Sequence, residues 1–157
     1  MGLIGNMLVP STQVENGVLE SLLEIGDSLM TYRNRYLNVL QARAVIDLLL
    51  MDESNPRSVL FQLNSLLAHV ERLPRDASSA TLSEEYRTIL SIQSAVRLCD
   101  IQQLCEEEKS GQRKNLERFL HRQMLSLRTL SDILTHKYLV HAVASRQMTE
   151  FRPGAIG

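Results

Sequence analysis

The sequence feature that most constrains this chain is a spacing of three and four residues between apolar side chains. At 3.6 residues per turn, this spacing places such residues on one face of an α-helix, whereas a strand needs alternation in twos. The two clearest sets are Val18, Leu22, Ile25, Leu29, Tyr32 and Tyr36, and then Leu116, Leu120, Leu127, Leu130, Leu134 and Tyr138. Trp is absent and only 4% of residues are aromatic, which also disfavours strands. The sequence therefore predicts an all-α fold.

The spacing divides the chain into a predicted bundle of about five helices, mostly antiparallel. We expect a start at 1–13 that is disordered or vector-derived, a helical domain at 14–146 and a loose tail at 147–157. Within the domain, the predicted helices span 14–36, 42–51, 56–70, a fourth opening at Thr81, and a fifth at 116–146. Thr81 and Glu84 in "TLSE" fit a capping box, and the charged segment 106–115 with Gly111 predicts a turn.

A polar segment interrupts the apolar run "LLLMDESNPRSVLFQL" at residues 48–63. In one interpretation it begins the third helix, because Asn55 is a preferred N-cap residue and Pro56 suits the first helical position. In the other, Arg57, Ser58 and the free amides of that helix end bind a phosphate or carboxylate. The sequence favours the first interpretation and leaves both open.

The segment "YRNRY" at residues 32–36 places two arginines beside two tyrosines. Its arginines would pair with Asp47 and Asp52, since a guanidinium binds a carboxylate through two parallel hydrogen bonds. The alternative is an anion site formed with the start of the third helix. The residues of that candidate site are Arg33, Arg35, Arg57, Ser58, Tyr32 and Tyr36, and the alternative structural polar network comprises Asp47, Asp52, Asn55, Asp132 and His136.

Templates for catalysis and metal binding match poorly. His136 and His141 are five residues apart, whereas two ligands on one helical face need a spacing of three or four. Asp132 and His136 can pair at a spacing of four, but no serine or cysteine is marked as a nucleophile. There is no glycine-rich phosphate loop. We therefore expect no enzymatic activity, no cofactor and no metal.

Charge and hydropathy narrow the class of partner. The formal net charge of −1 offers no field to attract nucleic acid or anionic lipid. No apolar stretch reaches the roughly 20 residues that span a bilayer, and the first residues lack the basic region of a signal peptide. Cys99 and Cys105 are six residues apart, which suits two reduced thiols rather than a disulfide. We expect a cytoplasmic protein that binds neither nucleic acid nor membranes.

Four segments together resemble one protein family. "SLLEIGDSLMTYRNRYL", "VIDLLLMDESNPRSVLFQL", "HVERLP" and "LSDILTHKYLVH" occur here in this order, between Leu19 and His141. They resemble the C-terminal half of the bacterial alpha-E domain, a helical domain of unknown function. The resemblance implies that an N-terminal helical half is missing here.

The same resemblance implies a partner, because alpha-E domains occur fused to or encoded beside circularly permuted ATP-grasp proteins. Two hypotheses about function follow. The first is a helical accessory or scaffolding module that packs against an ATP-grasp ligase-type partner or its own absent half. The alternative is a domain that binds an anion, a carboxylate or a peptide through the arginine and tyrosine cluster.

The second predicted helix suggests self-association. Its apolar residues surround much of the circumference, so a single neighbouring helix cannot cover them. They are Val45, Ile46, Leu48, Leu49, Leu50 and Met51. A large uncovered apolar patch is rare on a soluble monomer, so we predict a homodimer in which a second copy covers it.

Overall fold

The structure of this chain is a computed structural model that describes residues 11–36, 39–74, 81–108 and 112–139. These ranges contain seven α-helices, one π-helical turn and no strand. The helices are α1 Ser11–Ile25, α2 Leu29–Tyr36, α3 Ala42–Leu50, α4 Val59–Glu71, α5 Glu84–Arg97, α6 Ile101–Cys105 and α7 Lys114–Leu134, and the π-helical turn Thr135–Leu139 follows α7. The predicted all-α class is confirmed. The predicted tail at 147–157, His141 and most of the predicted start lie outside the described residues.

The first predicted helix is two helices, because the chain turns at Gly26–Ser28. Asp27 has φ 47°, and its N–H donates to the Glu24 carbonyl at 3.0 Å. The Ser28 N–H donates to the Leu23 carbonyl at 2.8 Å. These two bonds and the left-handed residue between them form a Schellman motif, which ends α1.

The fourth predicted helix is also divided. α5 ends at Arg97, and α6 begins after Asp100, whose Oδ1 accepts the amides of Gln102 at 2.9 Å and Gln103 at 3.4 Å. The predicted capping box is wrong as well, because Ser83 is the N-cap residue of α5. Glu84 is then the first helical residue rather than the third.

Two apolar clusters form the core, and α3 lies between them. The first cluster joins α1, α2 and α3 through the buried residues Leu19, Leu23, Tyr32, Val45 and Leu48. The second joins α3 to α4, α5, α6 and α7 through Leu50, Leu60, Leu63, Val70, Ile89, Ile92, Val96, Ile101, Leu104 and Leu130. The chain itself therefore covers α3 on both sides. The apolar residues of this helix no longer predict a dimer.

The buried face of α1 differs from the predicted one. Leu19 and Leu23 are buried, whereas Val18, Leu22 and Ile25 are 55%, 43% and 84% exposed. Two adjacent rows of this helix are apolar, and spacing alone cannot decide which row faces the core. Together with Val14, which is 57% exposed, the outer row forms a surface that we call the α1 stripe: Val14, Val18, Leu22 and Ile25.

One ion pair connects α1 with the start of α7. Arg113, the N-cap residue of α7, donates from Nη2 to Glu15 Oε1 at 2.5 Å. Its Nε donates to the Cys105 carbonyl at 3.3 Å, and its guanidinium also pairs with Glu107. α1 therefore contacts the start of α7 as well as α2 and α3.

Candidate functional site

The polar segment between α3 and α4 begins with Asp52, and both oxygens of its carboxylate make contacts within the chain. Asp52 Oδ1 accepts the Ser54 N–H at 2.8 Å and the Ser54 hydroxyl at 2.7 Å, and Oδ2 pairs with Arg35. Partial burial raises the pKa of Asp52, but the bonds from Ser54 and Arg35 outweigh it and hold the pKa below 3.8. Asp52 is therefore charged at neutral pH, and both of its oxygens have partners.

Asn55 is a buried cross-link and not the predicted N-cap. Its Nδ2 donates to Ser28 Oγ and to the Leu48 carbonyl, each at 3.1 Å, and its Oδ1 accepts the Arg57 N–H at 3.1 Å. Only 4% of the residue is exposed. One amide thus joins the turn after α1, the end of α3 and the approach to α4.

Ser58 is the N-cap residue of α4, which begins at Val59 and not at Pro56 as predicted. Its Oγ accepts the Phe61 N–H at 3.1 Å and donates to the Asp52 carbonyl at 2.5 Å. The residue is fully buried. Because its hydroxyl is already engaged as donor and acceptor, it is not placed to bind an external phosphate.

The structure does not bring the three arginines of the candidate anion site to one place. Arg33 pairs with Glu20 at 2.9 Å, Arg57 pairs with Asp27 at 2.8 Å, and Arg35 pairs with Asp52. Arg33 and Arg57 line two different surface cavities. Of the predicted partners, only Asp52 receives an arginine. Each arginine is neutralised by its own carboxylate, which disfavours a shared anion site.

The two tyrosine rings pack against each other at a tilt of 33°, with ring centroids 4.8 Å apart. Tyr32 is fully buried; its hydroxyl donates to the Val39 carbonyl at 2.8 Å and accepts the Gln41 N–H at 3.1 Å. Tyr32 therefore fixes the backbone that leads into α3. Tyr36 lines a surface cavity instead.

Asp132 and His136, the outer part of the predicted polar network, are exposed near the end of α7. They line a surface depression with Glu84, Ile133 and Lys137. No hydrogen bond or ion pair joins the two side chains. They therefore lie apart from the buried polar network around Asn55.

Sequence reasoning missed a buried acid on α5. Glu85 is 1% exposed, and Lys137 Nζ donates to its two oxygens at 2.9 and 3.1 Å. The Tyr138 hydroxyl donates to Oε1 at 2.8 Å. Burial alone would raise the pKa of Glu85, but the bonds from Lys137, its own amide and Tyr138 lower it from 4.5 to about 2. In the sequence, the indication of its burial was that Glu85 lies in the same helical row as the apolar residues Ile89 and Val96.

A surface cavity of about 580 Å³ lies between α2, α3 and α6. We call it the α3 cavity. Its walls are Tyr36, Gln41, Arg43, Ala44, Asp47, Met51, Cys99, Asp100, Ile101 and Gln102. Cys99 Sγ lies 3.8 Å from Met51 Sδ, and burial raises the pKa of this thiol. A protonated thiol is a poor nucleophile, so this cavity suits binding better than covalent chemistry.

The sequence profile of the Alpha-E family matches residues 3–139, and the family is described as a predicted alpha-helical domain with a conserved ER motif. The chain belongs to the Alpha-E family. This Alpha-E chain contains two Glu–Arg dipeptides, Glu71–Arg72 and Glu117–Arg118. All four residues are exposed, and none of them lines the α3 cavity.

The Alpha-E chain is also similar to uncharacterised proteins of Mycobacterium tuberculosis and Mycobacterium bovis. The identity is 31% over 121 residues, which cover 77% of this chain. The match covers only 13% of the length of those relatives. No solved structure gives a significant match.

None of the described helices is both long and apolar enough to cross a bilayer. Among the same residues, no group of three or more His, Cys, Asp or Glu side chains is arranged to hold a metal ion.

Proposed function

We propose that this Alpha-E domain is a non-catalytic helical module of the cytoplasm that packs against a partner of the ATP-grasp ligase type through the α1 stripe. The stripe carries the proposal, because three of its four side chains are more than half exposed. Contiguous exposed apolar side chains mark interaction surfaces. The ATP-grasp type of partner comes from the family resemblance, and the much greater length of the relatives supports a place within a larger assembly.

The charges of α1 indicate what the partner surface carries. The helix has three acids and no basic residue; Glu15 pairs with Arg113 and Glu20 with Arg33, which leaves Glu24 without an ion pair among the described residues. Two copies of α1 packed on each other offer no basic residue to pair with Glu24, whereas a surface with a basic residue beside apolar ones would complement it. The charges therefore favour a different protein over the predicted homodimer at this surface.

The polar contacts support a non-catalytic role. The buried side chains of three polar residues make their hydrogen bonds to groups within the domain: Asn55, Ser58 and Glu85. Burial also raises the pKa of both thiols, Cys99 and Cys105. The separately paired arginines do not favour the alternative of an anion site at Arg33, Arg35 and Arg57.

The test measures binding of the purified domain to the ATP-grasp protein that is fused to it or encoded beside it. Val18→Glu combined with Leu22→Glu should weaken binding at least about tenfold, because both charges would have to be buried in the interface. The matched control is Met124→Glu on α7, which replaces a side chain that is 68% exposed and outside the stripe. Equal binding of the stripe variant and the control would refute the proposal.

Sedimentation of the domain alone tests whether a second copy of this chain covers the α1 stripe. A dimer that the stripe variant dissociates and Met124→Glu leaves intact would assign the α1 stripe to self-association, and the proposed partner would lose its docking surface. A monomer that still binds the ATP-grasp protein through the stripe is the expected result.

A further inference from the structure

The α3 cavity contains two opposite charges that no ion pair joins. Arg43 and Asp47 are four residues apart on α3, so they lie on one face of that helix. Both line the cavity, yet no ion pair within 4.0 Å joins them, and neither side chain makes a hydrogen bond or ion pair among the described residues, although both charges act on the Cys105 thiol. This contrasts with Arg33, Arg35, Arg57, Arg97 and Arg113, each of which has a carboxylate partner.

The other residues that line the cavity include a second acid and several apolar side chains. Asp100 lines the cavity and uses Oδ1 to cap α6, so its negative charge stays at the wall. Met51, Ile101 and Ala44 supply apolar surface. The charged side chains of the wall are therefore one cation and two anions, within a volume of about 580 Å³ that suits a small molecule.

We propose that the α3 cavity binds a free amino acid with a cationic side chain. Such a ligand carries one carboxylate and two cationic groups, which is the complement of one arginine and two aspartates. Arg43 binds the carboxylate, since a guanidinium presents two parallel donors to it. Asp47 and Asp100 receive the α-ammonium and the side-chain cation. The apolar side chains of the cavity contact the methylene groups that separate the two cationic groups of the ligand.

The test is a titration of the ¹⁵N-labelled domain with L-lysine and L-arginine, followed by amide chemical shifts. The expected shifts lie at residues 43–47 and 99–102. Two comparison ligands each lack one charge: L-norleucine has no side-chain cation, and cadaverine has no carboxylate. Each should bind at least about tenfold more weakly than L-lysine, because a hydrogen bond to a charged group is lost. No shift at about 10 mM L-lysine, or equal binding of cadaverine, would overturn the proposal.

Three variants assign the roles. Arg43→Gln and Asp47→Asn should each weaken L-lysine at least about tenfold, and neither breaks an internal contact, so folding is retained. Asp100→Asn keeps an N-cap oxygen for α6 and should abolish the preference for L-lysine over L-norleucine. The matched control, Arg122→Gln, changes an exposed arginine of α7 that lies outside the cavity. Binding that none of the three variants alters would place the amino acid elsewhere and refute this site.

Discussion

At the scale of single residues, Asn55 shows how one amide can connect three parts of a chain. An Asn55→Ala variant would leave the Leu48 carbonyl and the Ser28 hydroxyl buried without this donor. We expect the free energy of unfolding to fall by about 2–4 kcal/mol, measured by urea denaturation. Asn34→Ala, an exposed change on α2, is the control and should cost less than about 0.7 kcal/mol.

An Asn55→Asp variant separates the cross-link from a helix cap. Asp is as good an N-cap residue as Asn, so a residue that only capped a helix would tolerate this change. In the structure the Nδ2 donor faces the Leu48 carbonyl, and a carboxylate oxygen there would repel it. We expect a loss of stability at neutral pH at least as large as for Asn55→Ala. A denaturation midpoint equal to that of the unchanged protein would restore the capping interpretation.

Glu85 should make stability depend on pH in the acid range. Its pKa is about 2 in the folded chain against 4.5 ordinarily, so the folded state favours the charged form. This stabilisation is complete above pH 4.5 and is lost as pH falls toward 2. The pKa difference corresponds to about 3 kcal/mol, which the 40% exposure of the Lys137 side chain reduces toward 2.

The measurement compares Glu85→Gln with Glu84→Gln, the exposed neighbour in the same turn of α5. Unfolding free energies from pH 7 down to pH 2.5 should differ between the two variants by about 2–3 kcal/mol at pH 7. The difference should shrink steadily below pH 4.5. A gap that stays constant over this range would show that the carboxylate charge is not what stabilises the contact.

At the scale of elements, the two described glycines of the first predicted helix should respond to alanine in opposite ways. A Cβ on Gly17 meets no atom within 4 Å, whereas one on Gly26 would lie 2.8 Å from Leu49 Cδ2 and 3.2 Å from the Leu22 carbonyl oxygen. Gly17→Ala should stabilise the chain by about 0.5–1 kcal/mol, because alanine favours a helix interior. Gly26→Ala should destabilise it by about 1–3 kcal/mol through crowding. Thermal melts of both variants check the signs, and a shift in the same direction for both would contradict the turn at Gly26.

The break at Gly26–Ser28 also explains which elements the sequence could predict. The helices were predictable because apolar spacing reports a helical period, but the spacing from Val18 to Tyr36 runs through the break without a change of phase. The left-handed residue of the turn is Asp27 and not a glycine, so residue type gave no clear indication of the break. Asp100 and Ser58 are likewise caps that only the completed structure distinguishes from nearby polar residues.

The turn between α1 and α2 also limits how much of the candidate site could be predicted from the sequence. Arg35 with Asp52 was one of the predicted pairs; Arg35 lies near the end of α2, and Asp52 follows α3, the next helix along the chain. Arg33 with Glu20 was not predictable, because 13 residues along a straight helix would separate the two by about 20 Å. Only the turn that folds α2 back on α1 brings them to 2.9 Å. The ion pairs therefore follow from the turns and not from the helical pattern.

At the scale of the whole molecule, α3 makes two apolar clusters depend on one short helix. Leu48 is fully buried in the first cluster and Leu50 is 4% exposed in the second, two residues away. Leu48→Ala and Leu50→Ala should each cost about 2–5 kcal/mol. Native-state hydrogen exchange should differ between them: Leu48→Ala should speed exchange in α1 and α2, and Leu50→Ala in α4, α5 and α7. Identical exchange patterns would show that the two clusters open as one unit.

The ion pair between Glu15 and Arg113 has a consequence for the order in which the chain assembles. Its partners are 98 residues apart, so the contact closes a ring that contains almost every described helix. Closing a flexible loop of that length costs on the order of 4 kcal/mol of chain entropy, more than one partly exposed ion pair returns. The ring can therefore close only after the helices between its ends have packed and shortened the path. We therefore expect Glu15 and Arg113 to meet late in folding and to separate early when either cluster loosens.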